Sequence, residues 1–237
     1  MTSAGGCATS ALLLLADGRL PAGGHAHSGG LEEAVATGRV WAVDDLAAYL
    51  RGRLATTGAV DSALAAATCA SLAAGAGQAL ALDREALARC PSPALRRAGR
   101  TQGRALLRAG QRMWPSASLD ELAAACQARP MWPIALGTVA FAGGLDPGDA
   151  ALVAAHAVVS GPAWAATRLL GLDPFAVARC LADLGPAVNA VAAAGAAATA
   201  APAGSRASLR ELPALSAPLA EVGAECHAQW EVRLFAS

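Results

Sequence analysis

Three times this chain places a small polar residue directly before proline at the head of an apolar stretch: Ser92-Pro93, Asp146-Pro147 and Asp173-Pro174. A Ser or Asp side chain caps the free N–H groups of a first helical turn. Proline at the next position has its φ already set for a helix and no N–H to leave unpaired. Each pair therefore opens a helix. Composition agrees, because more than a quarter of the 237 residues are Ala, the strongest helix former and a poor strand former. Alternating patterns of β-branched residues are almost missing. The expectation is an all-α chain, a single domain over residues 1–237 with roughly eight to ten helices around one core.

Spacing and breakers refine this. A flexible N-terminus of about nine residues leads into a helix over 10–16, then a Gly- and His-rich loop over 20–30. Residues 31–37 read as a short helix ended by Gly38, and Asp44 as the cap of a helix over 45–57 closed by Gly58. Helices follow over 60–74 and 78–89, and from Ser92 to about Met113. The last of these carries Arg100, Arg104, Arg108 and Arg112 four residues apart, a stripe read as a solvated face. Ser118-Leu119-Asp120-Glu121 reads as a capping box for a helix to about Ala128, and residues 133–142 as a short apolar helix. Pro186 is expected to kink or split the helix opened by Asp173. Residues 198–216 form a low-complexity loop, and 218–235 a final helical segment. Its apolar end, Trp230, Val232, Leu234 and Phe235, must dock on the core or on a partner, because termini left in water are usually polar.

Charge and hydropathy exclude several classes. Eighteen Arg, with no Lys, balance eighteen acids, so the positive field of a general nucleic-acid binder is missing. Charge-free runs over 62–82, 150–167 and 184–205 are long enough to span a bilayer. They are built of Ala, which buries one methyl each, and read as buried helices rather than membrane spans. Residues 11–16 lack the basic lead of a secretory signal, and six scattered Cys read as cytosolic thiols. The chain is expected to be cytoplasmic.

Catalytic motifs are scarce. No Gly-rich phosphate cradle follows a strand, and no GxSxG is present. His156, on an apolar helical stretch, reads as a packed core histidine. His25 and His27 flank one residue and point the same way in an extended loop. With Cys226 and His227 they form the one candidate metal set, weighed against a glycine-shaped loop in which the histidines bond locally.

Several segments resemble the urease accessory protein UreF family. Leu12–Leu15, Asp17 and Leu20-Pro21-Ala22-Gly23-Gly24, with His27-Ser28-Gly29-Gly30-Leu31-Glu32, resemble that family's opening. Thr101-Gln102-Gly103-Arg104 is similar to its central Gln-Gly-Arg stretch. Pro133–Gly137 and Ala166-Thr167-Arg168-Leu169 are similar to later segments, and His227 with Arg233-Leu234-Phe235-Ala236-Ser237 to its terminus. The chain departs from the family's pattern at His25, Ala228 and Trp230. The resemblance implies an all-α homodimer without catalytic activity or a permanently bound cofactor. Such an adaptor binds UreD (also called UreH), the GTPase UreG and apo-urease, and the partner complex handles the nickel. It implies partner-binding roles for His27, Ser28, Glu32, Arg104, Arg168, His227, Trp230, Arg233, Leu234 and Phe235. A nickel-binding metallochaperone using His25, His27, Cys226 and His227 is the alternative.

Overall fold

A computed structural model of the chain describes residues 4–199 and 209–235, apart from the side chains of residues 4–7 and 25. The α-helices among the described residues are α1 (Ala4–Ala16), α2 (Leu31–Ala36), α3 (Val43–Arg53), α4 (Ala59–Ala73), α5 (Ala79–Ala88), α6 (Pro93–Met113), α7 (Ala117–Ala125), α8 (Trp132–Ala142), α9 (Pro147–Leu170), α10 (Pro174–Ala197) and α11 (Pro218–Ala228). No strand occurs among the described residues, and the fold is all-α. All three cap-and-proline pairs form. Ser92 Oγ accepts from the Leu95 N–H at 3.2 Å, Asp146 Oδ1 from Asp149 at 2.8 Å, and Asp173 Oδ1 from Phe175 at 3.0 Å.

Local readings change where tertiary context overrides a breaker. Helix α1 already runs from Ala4, so residues 4–9 are helical rather than part of a flexible lead, and residues 1–3 lie outside the described residues. Gly58 does not end α3. Residues Leu54–Gly58 form a π-helical turn that fuses α3 and α4 into one rod, with Gly58 at an ordinary helical φ of −60°. Ser116, not Ser118, stands before α7 in an extended conformation, and Ser118 lies inside the first turn. Helix α10 continues through Pro186, whose ring lies on the exposed side, where water can take the carbonyl left unpaired. The last helix stops at Ala228, and residues 229–235 leave it as non-helical chain. Of the low-complexity loop, 200–208 lie outside the described residues. Its end is pinned by Arg89, which donates to the carbonyls of Leu209, Leu212 and Pro213 at 2.9–3.1 Å.

Helix α9 runs through the middle, packed by α4, α8 and α10, with α1, α2 and α3 over its other sides. Around it lie two apolar clusters. One contains Leu64, Leu107, Leu119 and Ile134. The other contains Leu31, Leu46, Leu50, Val159, Val177 and Leu184. Helices meet at backbone distance: a Cβ on Gly137 of α8 would collide with the Ala65 carbonyl of α4, and one on Gly103 of α6 with the Pro130 carbonyl. Gly103 is thus required by packing. The arginine stripe divides. Arg104, Arg108 and Arg112 are exposed. Arg100 instead ion-pairs with buried Asp83 at 2.8 Å, and that carboxylate also accepts the Met131 N–H at 2.7 Å. The charge-free runs divide too. Helices α9 and α10 are both long and apolar enough to cross a membrane, and 61% of the α9 window is buried. Only 28% of the α10 window is buried, which corrects the reading of its run as a buried helix.

Candidate functional site

The segments at the two ends of the chain that carry the resemblance meet at one carboxylate. On the N-terminal side the chain must turn sharply from the loop into α2, and Gly29 (φ 61°) and Gly30 (φ 86°) supply the left-handed backbone. Space demands glycine there as well. A Cβ at Gly29 would sit 2.9 Å from Pro162 of α9, and one at Gly30 would sit 3.1 Å from the Tyr49 hydroxyl. Tyr49 donates to the Gly29 carbonyl at 2.8 Å, and buried Ser28 accepts the Glu32 N–H on its Oγ at 3.2 Å. The turn is therefore held from both sides. It presents Glu32 inward on the first turn of α2, where an acid suits the positive end of a helix.

Glu32 is buried and accepts three donors from the far end of the chain. His227 Nε2 on α11 lies 2.9 Å from Oε2, the Phe235 N–H donates to Oε2 at 3.0 Å, and the Leu234 N–H donates to Oε1 at 2.8 Å. Because the ionised carboxylate only accepts, Nε2 carries the proton. Burial is the largest single influence on Glu32 and acts to raise its pKa. The Leu234 N–H, the His227 ring and the Phe235 N–H together outweigh it and hold the carboxyl below its usual range. Beside this bond set, Gly223 lets α11 lie directly on Glu33, which ion-pairs with Arg39. Phe235 is buried in the second cluster, with the Arg168 guanidinium of α9 stacked 4.5 Å above its ring. The Trp230 ring lies 4.7 Å from that of His227.

The structure thus brings together His27, Ser28, Glu32, Arg168, His227, Trp230, Arg233, Leu234 and Phe235 around this junction. Their exposures differ. His27, Ser28, Glu32, His227 and Phe235 are buried, while Arg168, Arg233 and Leu234 face outward with Val232 beside them. Arg104 is exposed on α6 and makes none of the Glu32 bonds. The tail docks on its own core through Phe235 and leaves alternate apolar side chains open. The residues of the metal alternative have different surroundings. Cys226 faces outward, the His227 Nε2 is committed to Glu32, and the side chain of His25 lies outside the described residues. No three His, Cys, Asp or Glu side chains gather as a metal site among the described residues.

Two features were not legible beforehand. A cavity of about 510 Å³ beside the junction is reached by Asp61, Gln102, His156 and Trp164. There the His156 Nδ1 has no hydrogen-bond partner, and burial lowers its pKa. Burial pushes the Asp61 carboxyl up to about 7 against the pull of Arg53. The second feature is a cleft of about 250 Å³ between α6 and α11, to which Arg97, Thr101 and Arg233 contribute. No short motif marks either one, because each is assembled from residues far apart in sequence.

The fold and this junction define a class: an all-helical protein whose glycine-rich opening and apolar tail are bonded into one continuous surface. A family model described as UreF matches residues 40–185. The chain is 44% identical over 227 residues to the urease accessory protein UreF of Mycolicibacterium vanbaalenii, covering 95% of this chain and 97% of that protein. It is 41% identical over 229 residues to the urease accessory protein UreF of Mycobacterium marinum, with the same coverage. With the urease accessory protein UreF of Mycobacterium tuberculosis strain H37Rv it shares 43% over 169 residues, 70% of this chain and 75% of that one. The chain belongs to the UreF family of urease accessory proteins.

Proposed function

We propose that this protein is a non-enzymatic adaptor in urease maturation. It binds UreD and the GTPase UreG and supports nickel insertion into apo-urease, holding no resident cofactor and working in the cytoplasm. The observation that carries this reading is the junction at Glu32. Residues 195 to 203 positions apart are bonded to one buried carboxylate, which joins the two terminal segments into one surface. Trp230, Val232 and Leu234 remain available along it, and Arg233 and Arg168 add charged anchors of the kind that concentrate binding energy. The buried members, His27, Ser28, Glu32, His227 and Phe235, act as positioning residues that shape the docking face. The reading includes a homodimer, supported by the open, Ala-rich outer face of α10, where backbones can approach closely.

The test is removal of the chain from Arg233 onward. Because the tail is non-helical, the truncated protein is expected to keep its helical circular dichroism while failing to retain UreD in a pull-down and failing to activate urease. Normal UreD retention by the truncated protein refutes the docking reading.

A further inference from the structure

The cleft between α6 and α11 has an unusual charge inventory. Arg97 and Arg233 both face it, and among the described residues neither guanidinium makes a hydrogen bond or an ion pair within 4 Å. His27 and His227 form its inner wall, Thr101 adds a hydroxyl, and among the described residues no carboxylate lines it. Two acids, Glu32 and Glu225, are bonded elsewhere. Glu32 lies behind His227, capped by the Leu234 and Phe235 N–H groups. Glu225 is bonded to the Ser92 hydroxyl and the Ala94 N–H at the start of α6, where Arg97 adds a favourable field that lowers its pKa further. The remaining wall is alanine, Ala98 and Ala228 among them. A guanidinium presents a planar fork of donors matched to a carboxylate, and two such forks over a methyl-lined wall fit a carboxylate carried on a short aliphatic stem. A bare inorganic anion would leave that apolar wall unfilled. Just outside, exposed Val232 and Leu234 offer apolar neighbours.

We propose that this cleft is an acceptor site for a glutamate-bearing segment of a protein partner, clamped by Arg97 and Arg233 with its stem against the alanines. The proposal rests on the reading that this end of the molecule docks a partner, and it names the chemistry of what is docked. Arg97 lies on α6, outside both terminal motifs, so the clamp is completed by a residue that neither of them contains.

The experiment uses the full chain and a fluorescein-labelled peptide, Ala-Glu-Leu-Glu-Ala with blocked ends, read by anisotropy. The peptide is expected to bind, more weakly as salt is raised. Arg97→Ala and Arg233→Ala should each weaken it by about fivefold, since a rim charge pair is partly screened. Arg112→Ala, on the same helix away from the cleft, should leave binding unchanged, and Arg97→Lys should retain part of it. The proposal is overturned if the peptide fails to bind at millimolar concentration, or if its Gln analogue binds as well. It is equally overturned if inorganic phosphate displaces the peptide at matched concentration, which would mark a bare anion site. Because the probe is synthetic, a negative result removes the cleft while leaving the UreD pull-down to judge the docking reading. Failure of the full-length chain to retain UreD, with peptide binding intact, does the reverse.

Discussion

Helices α9 and α10 are close to a matched pair. Each has 24 residues, opens with an Asp-Pro cap, carries a proline in its interior and reaches the same mean hydropathy. Yet more than half of the α9 window is buried and little more than a quarter of that of α10. Neighbours account for the difference. Helix α9 is enclosed by α4, α8, α10 and the N-terminal helices, and its Val153, Val158 and Val159 all find partners. Helix α10 rests on α9, α4 and α3 along a single face. An alanine surface is nearly neutral in this respect. One methyl per residue is too little apolar area to force burial and too little to forbid exposure. The same composition therefore serves as core in one helix and as available surface in the next.

A charge separates the two most sharply. Ala154 on α9 is fully buried, so Ala154→Arg places an unpaired guanidinium in the core. The expected loss is at least about 3 kcal/mol, enough to unfold a marginal chain. Ala190→Arg on the open face of α10 should change the unfolding free energy of the isolated chain, measured in urea, by no more than about 0.5 kcal/mol. Sedimentation of that variant then reports on the surface itself. If α10 mediates the dimer, Ala190→Arg yields a stable monomer. Equal destabilisation by the two substitutions would show that α10 is enclosed after all.

Glycines make a finer contrast inside α10. A Cβ on Gly195 would lie 2.9 Å from the Ser62 Cβ of α4, so Gly195→Ala overpacks the inner face and should cost about 1–3 kcal/mol. Gly185 has nothing within 4 Å of a new Cβ, so Gly185→Ala should gain about 0.5–1 kcal/mol by restricting the unfolded chain. Opposite signs in chemical denaturation are the expected outcome. A loss at Gly185 would mean that a neighbour covers the outer face.

These contrasts also mark what the residues disclose in advance. Local signals were reliable where they were overdetermined: Ser92-Pro93 and Asp146-Pro147 specify helix starts chemically, and both form. They failed where the outcome depends on partners. Gly58 punctuates an isolated helix but is absorbed into a π turn here, and Pro186 does not split α10, since the carbonyl it leaves unpaired meets solvent. The junction was half legible. The terminal motifs pointed to Glu32 and His227 but not to their bond, since nothing in spacing indicates that residues 195 apart will meet. Arg97 carried no signal, because its role exists only once α11 lies alongside α6.

A further effect is expected on acidity, and it compares the tail seated at the end of α9 with the cavity along it. Glu32 has a lowered folded pKa, so its contribution is complete above the ordinary glutamate value of 4.5 and is lost as pH falls through the folded value. Asp61 has the opposite sign. Its folded value is raised to about 7, so the neutral acid is favoured in the cavity, and stability falls as pH rises from the ordinary value of 3.8 through about 7. Urea midpoints should accordingly be lower at pH 8 than at pH 5, and Asp61→Asn should remove much of that fall. At the tail, the Leu234 and Phe235 amide protons should share one NMR titration, because both donate to the same carboxylate. Its midpoint should lie below 4.5, and Glu32→Gln should abolish it. A shared midpoint at or above 4.5 would mean that burial outweighs the three donors, and that the tail is held by Phe235 packing rather than by the carboxylate.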